Sequence, residues 1–283
     1  MRLVSVQTSA GAQFPGAVVG NDIYDLSAIC PDIPSFLRDQ EQSISAARSL
    51  IAGAEPVAKF DEAKLCSPVP RPGKFICIGL NYRDHAIESG MEIPKIPVVF
   101  TKYDNAVCGC CEPIVLPAAS SQVDYEAELA FVIKKQAKHV KAGDWREYVA
   151  GYTCVNDVSA RDFQLATSQW TIGKTFDTFG PMGPCLVTAD EIEDPGKLRI
   201  WLELNGQIMQ DSNTAQLVFG IPELLEYLSA VMTLNTGDVV STGTPPGVGM
   251  ARKPPVYLKP GDVCRVGVEG VGVLVNECVA EDA

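Results

Sequence analysis

The chain has 283 residues, 46% of them hydrophobic and 20% charged, which suits a folded soluble protein with one large core or a large domain beside a small one. A formal net charge of −12 makes nucleic acid and anionic membrane poor partners, and no run reaches the apolar length of a membrane span. The opening residues MRLVSVQTSAGAQ lack the apolar core of a secretory signal, so a cytoplasmic location is expected.

In chain order, MRLVSV, GAVVG and DIYDLS alternate as strands, with Gly20-Asn21 turning a hairpin. Residues 34–52 read as one helix ended by glycine. Three prolines between 68 and 72 mark a linker, which predicts a small N-terminal β-rich domain over 1–70 and a main domain over 71–283. There KFICIGL reads as a buried strand and 82–91 as a short helix. PVVFTK, VDYEAELAFVI, GYTCVND and GPCLVTA follow as strands. KLRIWLEL and QIMQDS form a hairpin about Asn205-Gly206, and IPELLEYLSAVM is an amphipathic helix with Pro222 near its start. DVVSTG, DVCRVGVEG and VGVLVNEC close the pattern. Strands dominate, which predicts an α+β, mostly β fold. Of the ten cysteines, Cys77 and Cys154 read as small buried hydrophobes. The CGCC run at 108–111 lacks the second Cys/His pair of a zinc site, and an inert loop is preferred to a metal or redox role.

The chemistry concentrates at 123–133. Asp124, Glu126 and Glu128 alternate on one strand face that turns apolar at Ala130 and Val132, and the other face is apolar throughout. A strand covered on both sides carries Glu126 and Glu128 into a buried cavity, where two carboxylates call for a hard divalent cation; an exposed strand edge is the plain alternative. Asp157, at the end of GYTCVND, is a candidate third ligand or a helix N-cap. His85 and Glu88, three apart on a short helix, can form an acid–base pair or an exposed ion pair. GKTFDTFGPMGP places Lys174 in a rigid loop, Arg161 is a second cation, and STGTPPGVG offers Thr242, Thr244 and loop amides suited to a carboxylate.

Taken together, GLNYRDHAIE, FTK, DYEAEL, NDVSARDFQ, GKTFDTFGPMGP, LNG and STGTPPGVG resemble the fumarylacetoacetate hydrolase family across the whole main domain. The resemblance implies a mixed-sheet β-roll, a homodimer, and Mg²⁺ (Mn²⁺ or Ca²⁺ as alternatives) on Glu126, Glu128 and Asp157. It implies His85 and Glu88 as catalytic groups on a lid segment, Lys174 polarising substrate, and Arg161, Gln164 and Thr244 holding a small anionic 2-oxo acid. The implied reaction is hydrolysis of a C–C bond in a 2,4-dioxo acid (acylpyruvate, fumarylpyruvate or diketo-deoxy sugar acid) to pyruvate and a carboxylic acid. Oxaloacetate keto–enol tautomerisation or decarboxylation at the same site is the alternative. Asp124 is left as a supporting or surface acid, and the lid around Met91–Pro97 is expected to set the acyl group.

Overall fold

The computed structural model describes residues 1–90 and 92–282. Met91, the first residue of the expected lid, lies outside them, and 92–97 run as irregular chain. The fold is α+β and mostly β, as expected. One twelve-stranded sheet forms the frame, ten strands on one path with Leu65–Cys66 beside Arg2–Gln7 and Val107–Cys108 beside Gly180–Thr188. Its path runs from Ala58–Lys59 through Asp22–Asp25, Gln13–Val19 and Arg2–Gln7 to Gly180–Thr188. It continues through Val149–Asn156, Ala127–Ile133, Val239–Ser241 and Phe75–Gly79 to Val98–Lys102. The N-terminal strands therefore share a sheet with the main body, through Arg2–Gln7 against Gly180–Thr188. A five-stranded sheet is ordered Gln207–Asn213, Arg199–Leu204, Val263–Val268, Gly272–Ala280 and Ile114–Leu116.

Local chemistry accounts for most element boundaries. Asn205 and Gly206 both sit at positive φ, 52° and 84°, as a two-residue type I′ hairpin requires. The helix Ile221–Val231 buries Ile221, Leu224, Leu225 and Leu228, one stripe at helical spacing, with Pro222 in its first turn. The single helix expected over 34–52 is instead two, Ile33–Arg38 and Gln40–Ile51. Asp32 caps the first by accepting from the Ser35 amide at 2.7 Å. The chain breaks at Asp39 (φ −134°, ψ 61°), a residue type with poor helix propensity.

The strand expected over 123–133 is also interrupted. Val123–Asp124 pairs with Ser159–Ala160 in a separate two-stranded ribbon, and the sheet strand starts only at Ala127. From there every residue to Ile133 is buried. Ala127, Leu129, Phe131 and Ile133 enter one hydrophobic cluster, and Ala130 and Val132 enter the other. Both faces are covered, and Glu128 opens the second face at the end nearest the ribbon. The break at Tyr125-Glu126 is bridged by one side chain and one backbone bond. The Asn156 side-chain oxygen accepts from the Glu126 amide at 3.0 Å, and the Asp157 amide donates to the Glu126 carbonyl at 2.9 Å. The two acids are thereby brought together across neighbouring strands.

Candidate active site

Four carboxylates converge where the ribbon meets the sheet. Asp124, Glu126, Glu128 and Asp157 are all buried. Oxygens of Glu126, Glu128 and Asp157 lie within 4.8 Å of one another, so the three residues proposed from sequence do come together. Asp124 is no surface acid, since its exposure is 0%. It accepts from the amides of Tyr125, Gly249 and Met250 at 2.8, 2.7 and 3.0 Å and from Arg161 Nε at 2.9 Å.

Three buried cations face these acids. Lys174 Nζ sits 2.8 Å from both Glu126 Oε2 and Asp157 Oδ2. It ends a short helix, Thr171–Lys174, rather than lying in the loop expected for it. Arg161 spans Asp124 Oδ2 at 2.8 Å and Glu126 Oε1 at 2.7 Å through Nη2, and its Nη1 donates to Gln164 Oε1 at 2.8 Å. It holds the acid cluster rather than standing free for a ligand. The third cation, Lys102, is absent from the residues singled out above. Its Nζ lies 2.6 Å from Asp157 Oδ1 and donates to the carbonyls of Val158, Lys174 and Phe179. A lysine closing the apolar run VVFTK was the available signal.

The protonation balance follows from this packing. Burial alone would raise the Glu126 carboxyl, yet Lys174 and Arg161 outweigh it and hold Glu126 down at about 2. Burial raises Glu128 well above the carboxylate range, and the neighbouring Asp157 and Glu126 raise it further. Burial pulls Lys102 down, whereas at Lys174 the acids Asp157 and Glu126 overcome burial and the ammonium is raised. With Glu128 holding a proton, three acids face three bases in the buried cluster. A divalent cation displacing that proton would leave a net positive site suited to an anionic ligand. The donors are all carboxylate oxygens, the set preferred by Mg²⁺, Mn²⁺ or Ca²⁺. Glu126, Glu128 and Asp157 therefore fit such an ion.

The His85–Glu88 pair forms on the helix Arg83–Ser89, with Nδ1 to Oε2 at 3.1 Å. Glu88 also accepts from the Gly247 amide at 3.0 Å. The loop after Val239–Ser241 does suit carboxylates, and the carboxylates it holds are the chain's own. Glu128 Oε2 accepts from the Ser241 hydroxyl at 2.5 Å and the Gly243 amide at 2.9 Å. Gly243 (φ 101°) and Gly247 (φ 103°) adopt backbone that a side chain would strain, and a Cβ at Gly247 would stand 2.1 Å from the Met209 carbonyl oxygen. Thr242 turns inward and donates to the Leu129 carbonyl. Thr244 Oγ1 accepts from Gln210 Nε2 at 2.9 Å, while Gln210 Oε1 accepts from the Ala127 amide. Gln210 thus orients Thr244, a role with no local sequence signal.

One cavity of about 390 Å³ gathers these groups. Glu126, Glu128, Arg161, Gln164, Lys174, Thr244, His85 and Glu88 form its polar side, and Ile78, Leu80, Phe100, Leu165, Trp170 and Met250 much of its apolar side. All ten cysteines are free thiols, with Cys110 and Cys111 3.7 Å apart at sulfur and outside this cavity.

Comparison with known proteins places this cavity in context. The mitochondrial oxaloacetate tautomerase of Rattus norvegicus is 46% identical over 266 residues, covering 92% of this chain and 85% of the relative. A Homo sapiens mitochondrial oxaloacetate tautomerase is 44% identical over the same shares. Maleylpyruvate hydrolase from Sphingobium sp. SYK-6, solved with manganese(II) and pyruvate, superposes with a TM-score of 0.83 at 32% identity over the whole of both chains. A 5-carboxymethyl-2-hydroxymuconate delta-isomerase from Mycobacterium smegmatis gives 0.80 at 35%, also over both whole chains. The cytoplasmic location expected from the opening residues is corrected by the rat, bovine and human relatives, which are mitochondrial. The fumarylacetoacetate hydrolase C-terminal profile matches residues 74–279, and with this site and these relatives the chain belongs to the fumarylacetoacetate hydrolase family of enzymes.

Proposed function

We propose that the enzyme interconverts the keto and enol forms of a 2-oxo acid, with oxaloacetate as substrate and Mg²⁺ as the expected ion. The observation that carries this reading is a cavity lined by the His85–Glu88 pair and by Glu126 and Glu128, two acids of the buried carboxylate triad. The oxaloacetate tautomerases among its relatives, at 44–46% identity, support tautomerisation over C–C hydrolysis. In this reaction one proton moves between C3 and the 2-oxygen, and the carbon skeleton stays intact.

Glu126, Glu128 and Asp157 would hold the divalent ion, which when bound supplies Lewis-acid polarisation of the 2-oxo group. The protein groups do the rest. A Glu88 carboxylate accepting from His85 Nδ1–H leaves the lone pair on Nε2, so the ring is the base that takes and returns the proton. Lys174 uses two N–H groups on Glu126 and Asp157, and its third is available to the developing oxyanion. The Gln164 amide N–H₂ and the Thr244 hydroxyl proton have no acceptor among the described residues, which suits them to the substrate carboxylate.

The test follows enol-oxaloacetate by ultraviolet absorbance with Mg²⁺ while pyruvate is assayed in parallel. The expected result is enzyme-dependent enol loss with no matching pyruvate. Enol decay at the buffer rate, or pyruvate formed in step with it, overturns the reading. A second reading, C–C hydrolysis of an acylpyruvate, is favoured by the Sphingobium maleylpyruvate hydrolase. Pyruvate release from an acylpyruvate in the same assay would select it.

A further inference from the structure

Oxaloacetate is a small, doubly charged substrate, and it accounts for only part of this cavity. The remainder begins one ring away from the acid cluster. Lys174 Nζ lies 4.9 Å from the Phe100 ring centroid. Phe100 packs edge-to-face on Trp170, centroids 5.6 Å apart at 66°. Trp170 in turn lies over Gly79, where a Cβ would stand 2.3 Å from the indole. Leu165 and Met250 line the same cavity and are solvent-exposed, at 60% and 38%, adding to its apolar side.

Beyond Lys174 at its inner end, the wall carries no charged side chain. Among the described residues, the cations that line the cavity are Arg161 and Lys174, and both are held within the acid cluster. A carboxylate against this wall would be desolvated without a counter-ion, which is costly, whereas an apolar ring gains from the same burial. Oxaloacetate would keep its 4-carboxylate toward solvent and leave the wall unfilled.

Resting on the tautomerase reading of the site, we infer that the enzyme also tautomerises 2-oxo acids bearing an apolar, preferably aromatic, C3 substituent that lies on the Phe100–Trp170–Leu165 wall. The chemistry is that of the proposed substrate. The enol O–H proton leaves, C3 gains a proton, the double bond moves from C2–C3 to C2–O, and nothing is oxidised or reduced.

Phenylpyruvate is the probe. Its enol-to-keto conversion is measured beside that of oxaloacetate, with Mg²⁺, in the wild-type enzyme and in Leu165→Arg. Its binding is measured by calorimetry in both proteins. Leu165 is exposed, so the substitution leaves the core untouched. The wild type should turn over both compounds. Leu165→Arg should lower the phenylpyruvate-to-oxaloacetate ratio of kcat/KM by on the order of tenfold and weaken phenylpyruvate binding in parallel. Oxaloacetate turnover with neither turnover nor binding of phenylpyruvate overturns the inference and leaves the tautomerase reading standing. An unchanged ratio in Leu165→Arg overturns the assignment of the wall. Phenylpyruvate turnover without oxaloacetate turnover supports the aryl class and overturns oxaloacetate as substrate, and turnover of neither overturns both.

Discussion

Replacing Asp124 by Asn tests whether this acid holds the site together. Its two oxygens accept three backbone amides and face Arg161 through Nε and Nη2, all between 2.7 and 3.0 Å. An asparagine keeps one acceptor oxygen and turns an N–H₂ toward donors on the other side. Breaking a buried ion pair from one end costs about 3–5 kcal/mol. Arg161 keeps Glu126 Oε1 at 2.7 Å, which places the loss near the low end, about 3 kcal/mol. For a chain of this size that is a fall in Tm of about 5 °C. Thermal and urea unfolding followed by circular dichroism would measure it. The double variant Asp124→Asn/Arg161→Gln should be non-additive by at least about 1 kcal/mol, because the second change removes the stranded charge. A Tm within about 2 °C of wild type for the single variant, or strict additivity in the cycle, would refute the reasoning.

Three further outcomes follow. Glu88→Gln keeps the side-chain shape but removes the charge that orients His85, so kcat should fall about 10²-fold or more with an unchanged unfolding midpoint; a fall of less than about threefold would remove the pair from the mechanism. Lys102→Met removes one of the two ammonium partners of Asp157 and leaves three carbonyls without their donor, and should destabilise by about 3 kcal/mol in urea titrations; near-wild-type stability would contradict the buried ion pair. Glu128 is raised well above the usual carboxylate range, so without an ion it keeps a proton that must leave when a divalent cation binds. Mg²⁺ affinity should therefore weaken as pH falls, and calorimetry in buffers of different ionisation enthalpy should show proton release. Affinity independent of pH would count against the triad as the ligand set.

Much of this site was legible along the chain because its signals are local. Three acids at alternate positions, an i, i+3 His–Glu pair and two glycine turns depend only on backbone periodicity and steric freedom. The unread features depend on distant partners. Lys102 looks like the polar end of an edge strand until Asp157, far along the chain, is placed beside it. Asn156 and Gln210 act on the amides of Glu126 and Ala127, across a strand break that periodicity does not reveal. For Asp124 the sequence leaves a supporting and a surface role open, because nothing local announces Arg161 or the amides of Gly249 and Met250. The STGTPPGVG loop reads as suited to a carboxylate ligand, and that its Gly243 and Gly247 amides hold the chain's own Glu128 and Glu88 is a matter of tertiary packing.

The central claim is that this cavity moves a proton at C3 of a bound 2-oxo acid. Hydrogen–deuterium exchange at C3 of oxaloacetate in D₂O, read by proton NMR with Mg²⁺ present, tests it most directly. The account predicts exchange well above the uncatalysed rate in the wild-type enzyme and loss of that acceleration in Glu126→Ala. Exchange at the uncatalysed rate, or equal acceleration by Glu126→Ala, would contradict it.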